Sequence, residues 1–503
     1  MAPATTLKEI CVIWTAFSIP TSSVWLSVVI ALVDLVIRVV VLGVIPGNRR
    51  PTTAMAWLLC IFFLPYIGLA LFLMFGNFRL SRRRRETQAA VNERIVEGTR
   101  EIAAQVPPYD GPSWVNSAVE LNRNLGFFPA LGANSVQLIE GYQESLDAMA
   151  AEIRTATDYV NAEFYIMSSD ACTDNLFKEL EAAAERGVRV RVLFDHIGSI
   201  RVPGYRQMIR RLKASEIQWR RMLPLLPVKG QWRRPDLRNH RKILVVDGRV
   251  GFTGSQNVIE PWYRKKKNHK VGRQWVELMA RLEGPIVGTL NVMFATDWSS
   301  ETEENLESQL AVHHWDSFTG GVLCQVVPSG PGFVTENNLR LFNTLLYSAE
   351  RRITISSPYF VPDDSLLYAI TTAAQRGVRV ELFVSESGDQ FLVHHAQRSY
   401  YEALLKAGVR IFLYPKPLVL HAKHFTVDED VAVIGSSNMD MRSFSLNLEV
   451  SVMMIDQAVV NEMHRVEEQY RAVSRELLLD EWINRPVLAR YIDNVARLTA
   501  TLQ

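Results

Sequence analysis

Cysteine is scarce and scattered. Only Cys11, Cys60, Cys172 and Cys324 occur in 503 residues, with no CxxC pair among them. That pattern supports neither a disulfide framework nor a zinc site, and it fits a reducing compartment. Charge of one sign is missing as well: 55 basic residues face 53 acidic ones, a formal net charge of +2, so the chain lacks the strongly basic body that nucleic acid selects. It has no glycine-rich phosphate loop and no dense carboxylate cluster of the kind that holds Mg²⁺. A cleaved secretory signal is excluded too, because the apolar region starts late, runs long and is followed by a second apolar run.

Long apolar runs are what the N-terminus does have. Ala54–Phe75, AMAWLLCIFFLPYIGLALFLMF, is uncharged and has the length of a bilayer-crossing helix, about 20 residues. Val24–Ile45 is of similar length but holds Asp34 and Arg38, whose i, i+4 spacing lets them pair on one helix face. Residues 1–75 are therefore expected to be a membrane region with spans at 24–45 and 54–75, followed by a basic juxtamembrane linker, 76–130. The loop between the spans carries Arg49 and Arg50, and the far side of the second carries Arg79 and Arg82–Arg85. By the positive-inside rule the second cluster lies in the cytoplasm. The expectation is a multi-pass protein of the cell membrane with its body on the cytoplasmic side.

The rest of the chain is written twice. AAAERGVRVRVLF at 182–194 matches TAAQRGVRVELFV at 372–384, each reading as a helix end, a glycine stop and an alternating strand. HRKILVVDGRVGFTGSQN at 240–257 matches HAKHFTVDEDVAVIGSSN at 421–438. The paired glycines, Gly187 and Gly377, lie 190 residues apart and the paired histidines 181 apart, so two unrelated kinds of feature repeat at nearly one interval. Strands alternating with helices give an α/β fold: two pseudo-symmetric repeats, 131–320 and 321–490, and a C-terminal tail, 491–503.

The second pair of matches shares His240/His421, Lys242/Lys423, Asp247/Asp428, Gly254/Gly435, Ser255/Ser436 and Asn257/Asn438. A buried strand supplies its own valines, but it has no need of these polar residues. In a strand, residues i and i+2 share a face, so each His and Lys point the same way. Imidazole is a nucleophile when neutral and an acid of suitable strength when protonated near pH 7. Lysine meets anionic oxygen as a compact charge. Two such pairs around one anion suit attack on a phosphodiester: one histidine forms a phosphohistidine and the other protonates the departing alkoxide. Such chemistry calls for no metal and no cofactor. Asp247 and Asp428 belong to the repeated set and are counted among the catalytic candidates, though they sit at turn ends, where a structural role is expected.

The signature H-x-K-x4-D-x6-G-S-x-N, present twice, resembles that of the phospholipase D superfamily. RNHRKILVVDG, SSPYFVPDDSLL, RSYYEALLKAGVRIFLY, GSSNMDMRSFSLNLEV and the N-terminal AWLLCIFFLPYIGLALFLMFG resemble the bacterial cardiolipin synthases within it. The resemblance implies two phospholipase D-like repeats sharing one active site. It also implies a membrane enzyme that moves a phosphatidyl group from one phosphatidylglycerol to another, releasing glycerol and leaving cardiolipin. It makes His240 the nucleophile and His421 the general acid and base. Lys242, Lys423, Asn257 and Asn438 would hold the phosphate, with Ser255 and Ser436 beside them. A downstream carboxylate orients each histidine, for which Glu449 and Glu277 are the candidates; relatives usually carry Asp-x-His at the latter site, and here Met279 stands two residues on. The near alternatives are a hydrolytic phospholipase D and a transferase using another alcohol; a membrane-bound phosphodiesterase or nuclease is more distant. The partners implied are membrane lipids and no nucleic acid, with homo-oligomerisation left open.

Overall fold

The structure is a computed structural model that describes residues 24–47, 49, 51–76, 88–90, 92, 93, 95, 97, 106–225, 236–302, 304, 306, 319–333 and 336–500. Arg50, Arg79, Arg82–Arg85 and the His313-His314 pair fall outside these residues. The chain divides into two compact units, Met1–Phe78 and Arg79–Gln503.

In the N-terminal unit, α1 (Val24–Val44) is a single apolar helix. Its stretch Ser27–Val44 is the one helix among the described residues long and apolar enough to cross a bilayer. The other expected span, 54–75, is not one helix. It is split into α2 (Pro51–Phe63) and α3 (Pro65–Phe75), of 13 and 11 residues. Pro65 is the cause. It has no N–H to continue the ladder, and its ring forces the preceding residue out of the helical region; Leu64 accordingly sits at φ −133°, ψ 70°. At 1.5 Å per residue the pieces are about 20 and 17 Å long, short of the ~30 Å hydrocarbon core. Of the two expected spans, only the first is thus a single helix of crossing length among the described residues.

The larger unit is built on one 15-stranded sheet. Its first half contributes β1 (Leu131–Ile139), β2 (Tyr159–Phe164), β3 (Arg189–Asp195), β4 (Gln218–Met222), β5 (Lys242–Val246), β6 (Val250–Gly254) and β8 (Met279–Glu283). The second contributes β9 (Val322–Ser329), β10 (Arg352–Ser356), β12 (Arg379–Ser385), β13 (Arg410–Tyr414), β15 (His424–Val427), β16 (Val431–Gly435), β18 (Glu449–Ile455) and β19 (Arg475–Leu477). Short pairs β7 (Trp275–Val276) with β14 (Val419–Leu420), and β11 (Phe360–Val361) with β17 (Met439–Asp440), lie outside the large sheet.

The strand order β4-β3-β2-β5-β6-β8-β1 meets β9-β18-β16-β15-β10-β12-β13-β19 where β1 and β9 pair antiparallel. Read outward from that seam, the halves run in corresponding order, each with an antiparallel inner set followed by three parallel strands, β2-β3-β4 and β10-β12-β13; the second half adds β19 antiparallel at its edge. The strands are near-continuous apolar runs because helices cover the sheet. A core around Leu146, Phe177 and Val192 serves the first half, and one around Phe342, Ile370 and Ile411 serves the second. A third core, containing Ile243, Leu282, Val326, Ala432 and Val452, is drawn from both halves and joins them.

Two segments expected as linker and tail carry ordered helices. Ser113–Gly126 packs into the second half's core through Val115 and Ala118, and Asn122 Nδ2 donates to Val326 O at 2.9 Å. Val487–Arg497 is held by its buried Asp493, which accepts from Arg398 Nε at 3.2 Å and pairs with His395 Nδ1 at 2.7 Å.

Candidate active site

Each motif begins just before a central strand and ends just after its neighbour. The turn between β5 and β6, residues 247–249, is tight: Arg249 N donates to Val246 O at 2.9 Å, and Asp247 and Gly248 take φ 52° and 65°, the positive values that a type I′ turn needs at both central residues. Asp247 accepts backbone N–H bonds from Asp158 at 2.9 Å and Tyr159 at 2.8 Å. Asp428 accepts from Glu350, Arg351 and Arg352 at 3.0, 2.7 and 2.8 Å. Both carboxylates therefore fasten the hairpin tip to the start of the adjoining strand. A strand rises about 3.3 Å per residue, which puts Asp247 roughly 16 Å from Lys242. The inclusion of Asp247 and Asp428 among the catalytic candidates is corrected accordingly: they hold up the scaffold at the end remote from the histidines.

The glycine of each motif is required by a close backbone approach. A Cβ at Gly254 would lie 2.4 Å from Leu278 O, and one at Gly435 2.4 Å from Val450 O. Without it, Ser255 N reaches Leu278 O at 3.0 Å and Ser436 N reaches Val450 O at 2.9 Å. This contact sets each serine beside the carboxylate of its own half. Ser436 Oγ donates to Glu449 Oε2 at 2.5 Å, and Ser255, whose Oγ donates to Leu278 O at 3.2 Å, helps to hold the Glu277 carboxyl low.

The carboxylates then cross over. His240 Nδ1 lies 2.9 Å from Glu449 Oε2 and 3.0 Å from Ser436 O. His421 Nδ1 lies 2.8 and 2.9 Å from the two oxygens of Glu277. Each histidine is thus oriented by the glutamate of the opposite half. Backbone pairing enforces the exchange: His240 N donates to Leu448 O at 2.8 Å, and His421 N to Val276 O at 2.7 Å, beside the β7–β14 pair. Acceptors at Nδ1 put the ring proton there and leave Nε2 with its lone pair. His240 Nε2 has no partner among the described residues, while His421 Nε2 lies 3.1 Å from Lys423 Nζ.

The electrostatics follow from burial against charge. Desolvation pushes the His240 ring down to about 4, against the pull of Glu449, and lowers His421 against Glu277. Desolvation likewise takes Lys242 down to about 7 and Lys423 to about 8. Burial acts to raise the two glutamates, but His421 and Lys423 hold Glu277 low and His240 and Lys242 hold Glu449 low. Each lysine also bears on the histidine of the other half, so the two His-x-Lys pairs belong to one electrostatic unit.

The comparisons with known proteins agree with this geometry. The family described as cardiolipin synthase, PLD-like domain, matches residues 149–298 and 342–470, and the phospholipase D-nuclease N-terminal family matches 25–77. Cardiolipin synthase A of Proteus mirabilis is 34% identical over 458 residues, covering 89% of this chain and 92% of that one. The chain belongs to the cardiolipin synthase family of phospholipase D-like proteins. Cardiolipin synthase A of Pectobacterium carotovorum is also 34% identical, over 92% of this chain and 95% of the relative. A phosphatidylserine synthase from Haemophilus influenzae shares the fold, with a TM-score of 0.57, 15% identity and coverage of 76% of this chain and 99% of its own.

Within this cardiolipin synthase family site, the asparagines are not equivalent. Asn257 donates to Tyr263 OH at 2.8 Å and accepts from Ile166 N at 3.1 Å, so its oxygen and one of its two N–H groups are engaged. Asn438 keeps its side-chain oxygen buried and unpaired among the described residues. The serines hold the glutamates, which is a different task from the phosphate contact expected of them.

Several supporting residues were missed from the sequence. Tyr165 packs edge-on to His240, ring centroids 4.8 Å apart, and lies under Lys242 at 5.5 Å; Tyr359 stands similarly at 6.1 Å from His421. Tyr165 follows β2 and Tyr359 follows β10, the corresponding strand of the second half, so an aromatic shortly after each was the available signal. Arg241, fully buried, pairs with Asp297 and donates to Glu449 O at 3.2 Å. Asn239 bonds Glu163. The basic YRKKKNHK segment forms the short helix Lys266–Val271, in which His269 pairs with Glu260 at 2.6 Å.

Proposed function

We infer that the protein is a cardiolipin synthase anchored in the bacterial cell membrane with its body on the cytoplasmic side. It transfers a phosphatidyl group from one phosphatidylglycerol to the glycerol hydroxyl of another. The observation that supports the chemistry is the crossed pairing of His240 with Glu449 and His421 with Glu277, which favours one site built from the two halves.

In the first step His240 Nε2 attacks phosphorus and the phosphorus–oxygen bond to the headgroup glycerol breaks. Glu449 offsets the positive charge that develops on the phosphorylated ring, and Lys242 and Lys423 sit against the non-bridging oxygens. His421 gives a proton to the leaving alkoxide. Burial keeps that ring neutral in the free enzyme; the anionic phosphodiester and Glu277 together favour its imidazolium form. Glycerol departs. In the second step the terminal hydroxyl of another phosphatidylglycerol attacks the phosphohistidine, losing its proton to His421, and the histidine leaves as a neutral ring. Cardiolipin is the product, and the enzyme returns to its starting state. Asn438 is the neutral donor nearest to hand for the phosphate once its amide turns.

The test is incubation of purified full-length protein with phosphatidylglycerol vesicles in the absence of CTP, followed by mass spectrometry. Cardiolipin and glycerol in equal amounts are expected. Phosphatidic acid as the main product, or a requirement for CDP-diacylglycerol, refutes the assignment.

A further inference from the structure

The split of the second apolar segment does more than shorten it. A straight helix from Trp57 to Phe72 would hold the two side chains about 22 Å apart at 1.5 Å per residue. Instead their rings meet edge to face at 5.5 Å. Arg49, just before α2, donates to Gly76 O just after α3 at 2.8 Å, and its guanidinium lies 4.9 Å over Phe72. The two ends of the segment are therefore together, and α3 runs back along α2. The closeness depends on Gly68, where a Cβ would come within 2.8 Å of both Cys60 O and Ile61 Cα.

The same unit shows how far the hairpin reaches. Ile61 packs in a small core with Val41, Ile45 and Ala54, so α2 lies along the C-terminal half of α1. Phe62, next to the bend, covers Arg38 at 5.3 Å, and Arg38 is paired with Asp34 at 2.7 Å. Helix α1, at 21 residues, matches a full bilayer; the bend sits beside its middle. The outward sides of the hairpin are bare apolar surface, including Leu59, Phe63, Ile67 and Leu73, with no water-seeking face.

We propose that residues 51–75 form a re-entrant hairpin that enters one leaflet of the bilayer and returns to the side it left, so that α1 is the sole crossing. The occupant of the exposed apolar surface is lipid acyl chain. The proposal rests on the membrane anchoring inferred above. It also resolves a charge problem. With two crossings, Arg49 and Arg50 are stranded on the face opposite Arg79 and Arg82–Arg85; with a hairpin all seven arginines share one face, as the positive-inside rule requires. Residues before α1 then lie across the membrane from the catalytic body, the reverse of the two-span arrangement.

The experiment uses full-length protein in right-side-out and inside-out membrane vesicles, labelled with a membrane-impermeant maleimide. Three single-cysteine forms are compared, with the other native cysteines replaced by alanine: native Cys11, Gly47→Cys and Lys178→Cys. Expected is labelling of Gly47→Cys and Lys178→Cys from one face and of Cys11 from the other. Gly47→Cys opposite both of the others means two straight crossings and overturns the hairpin. All three on one face means that α1 does not cross, which sinks the membrane-spanning anchor itself. In a second measurement, Trp57→Cys with Phe72→Cys should be joined by a bismaleimide of about 10 Å reach; failure to join when each site labels singly overturns the hairpin.

Discussion

Replacing Glu449 by Gln removes one negative charge while keeping a hydrogen-bond acceptor in place. In the wild type, Oε2 accepts from His240 Nδ1 at 2.9 Å and Ser436 Oγ at 2.5 Å, and Oε1 from Ser443 Oγ at 3.0 Å and Asn447 Nδ2 at 3.2 Å. Glutamine can still accept from the ring if its amino group faces Ser443 and Asn447. Asn447 can meet it, since its Oδ1 is unpaired among the described residues. The fold should then lose about 1–2 kcal/mol, the scale of one rearranged buried hydrogen bond. The chemical cost is larger. Unit charges about 4 Å apart at an effective dielectric near 20 attract by about 4 kcal/mol. That attraction is absent while His240 is neutral and present once its ring is phosphorylated, so its loss falls on the first step. At about 1.4 kcal/mol per tenfold, formation of the covalent intermediate should slow by about 10³. The assay is a single-turnover acid quench with labelled phosphatidylglycerol, counting lipid bound to protein, beside a thermal melt. A Glu449→Gln enzyme within tenfold of wild type, folded at the same temperature, refutes the reasoning.

His240→Ala should abolish covalent lipid labelling altogether, whereas His421→Ala should slow glycerol release yet leave a slowly formed adduct; label that survives only in the first variant reverses the two roles. For pH, Lys242 is lowered to about 7 and Lys423 to about 8, so both are charged below those values and lose charge as pH rises through them. kcat/KM should therefore fall above about pH 7, and Lys242→Arg, which keeps its charge, should move the start of that fall up to about pH 8 in a pH-rate profile, where Lys423 still titrates. Asp428→Ala strands three backbone N–H groups at roughly 1 kcal/mol or more each. The melting temperature should drop by several degrees while kcat per folded molecule holds, and a loss of kcat at unchanged stability contradicts the scaffold role.

The expectations drawn from the sequence succeeded where the cause was local. The repeat at 240–257 and 421–438 marked both histidines and both lysines as two copies of one set, although each pair lies at the approach to its strand, β5 beginning at Lys242 and β15 at His424, so the period-of-two rule is not what places them. The turn glycines and the buried strands were readable from local pattern. Local rules also misled. Continuous hydropathy in Ala54–Phe75 reads as one span, whereas Pro65 within it ends the first helix at Phe63. Tyr165 and Arg241 went unremarked because an aromatic or arginine beside a strand is ordinary until its neighbours are known.

By itself, then, the amino-acid order singled out the candidate side chains for the chemistry, showed that they come in two sets, and made the N-terminus apolar. Only the tertiary structure decided which glutamate serves which histidine and which way the second apolar segment runs. Both are matters of contact between residues far apart in the chain, 209 positions for His240 and Glu449 and 27 for Arg49 and Gly76. No residue's own propensity encodes such a partner; it is chosen when apolar faces of the two halves, or of two helices, find the one docking that buries them together.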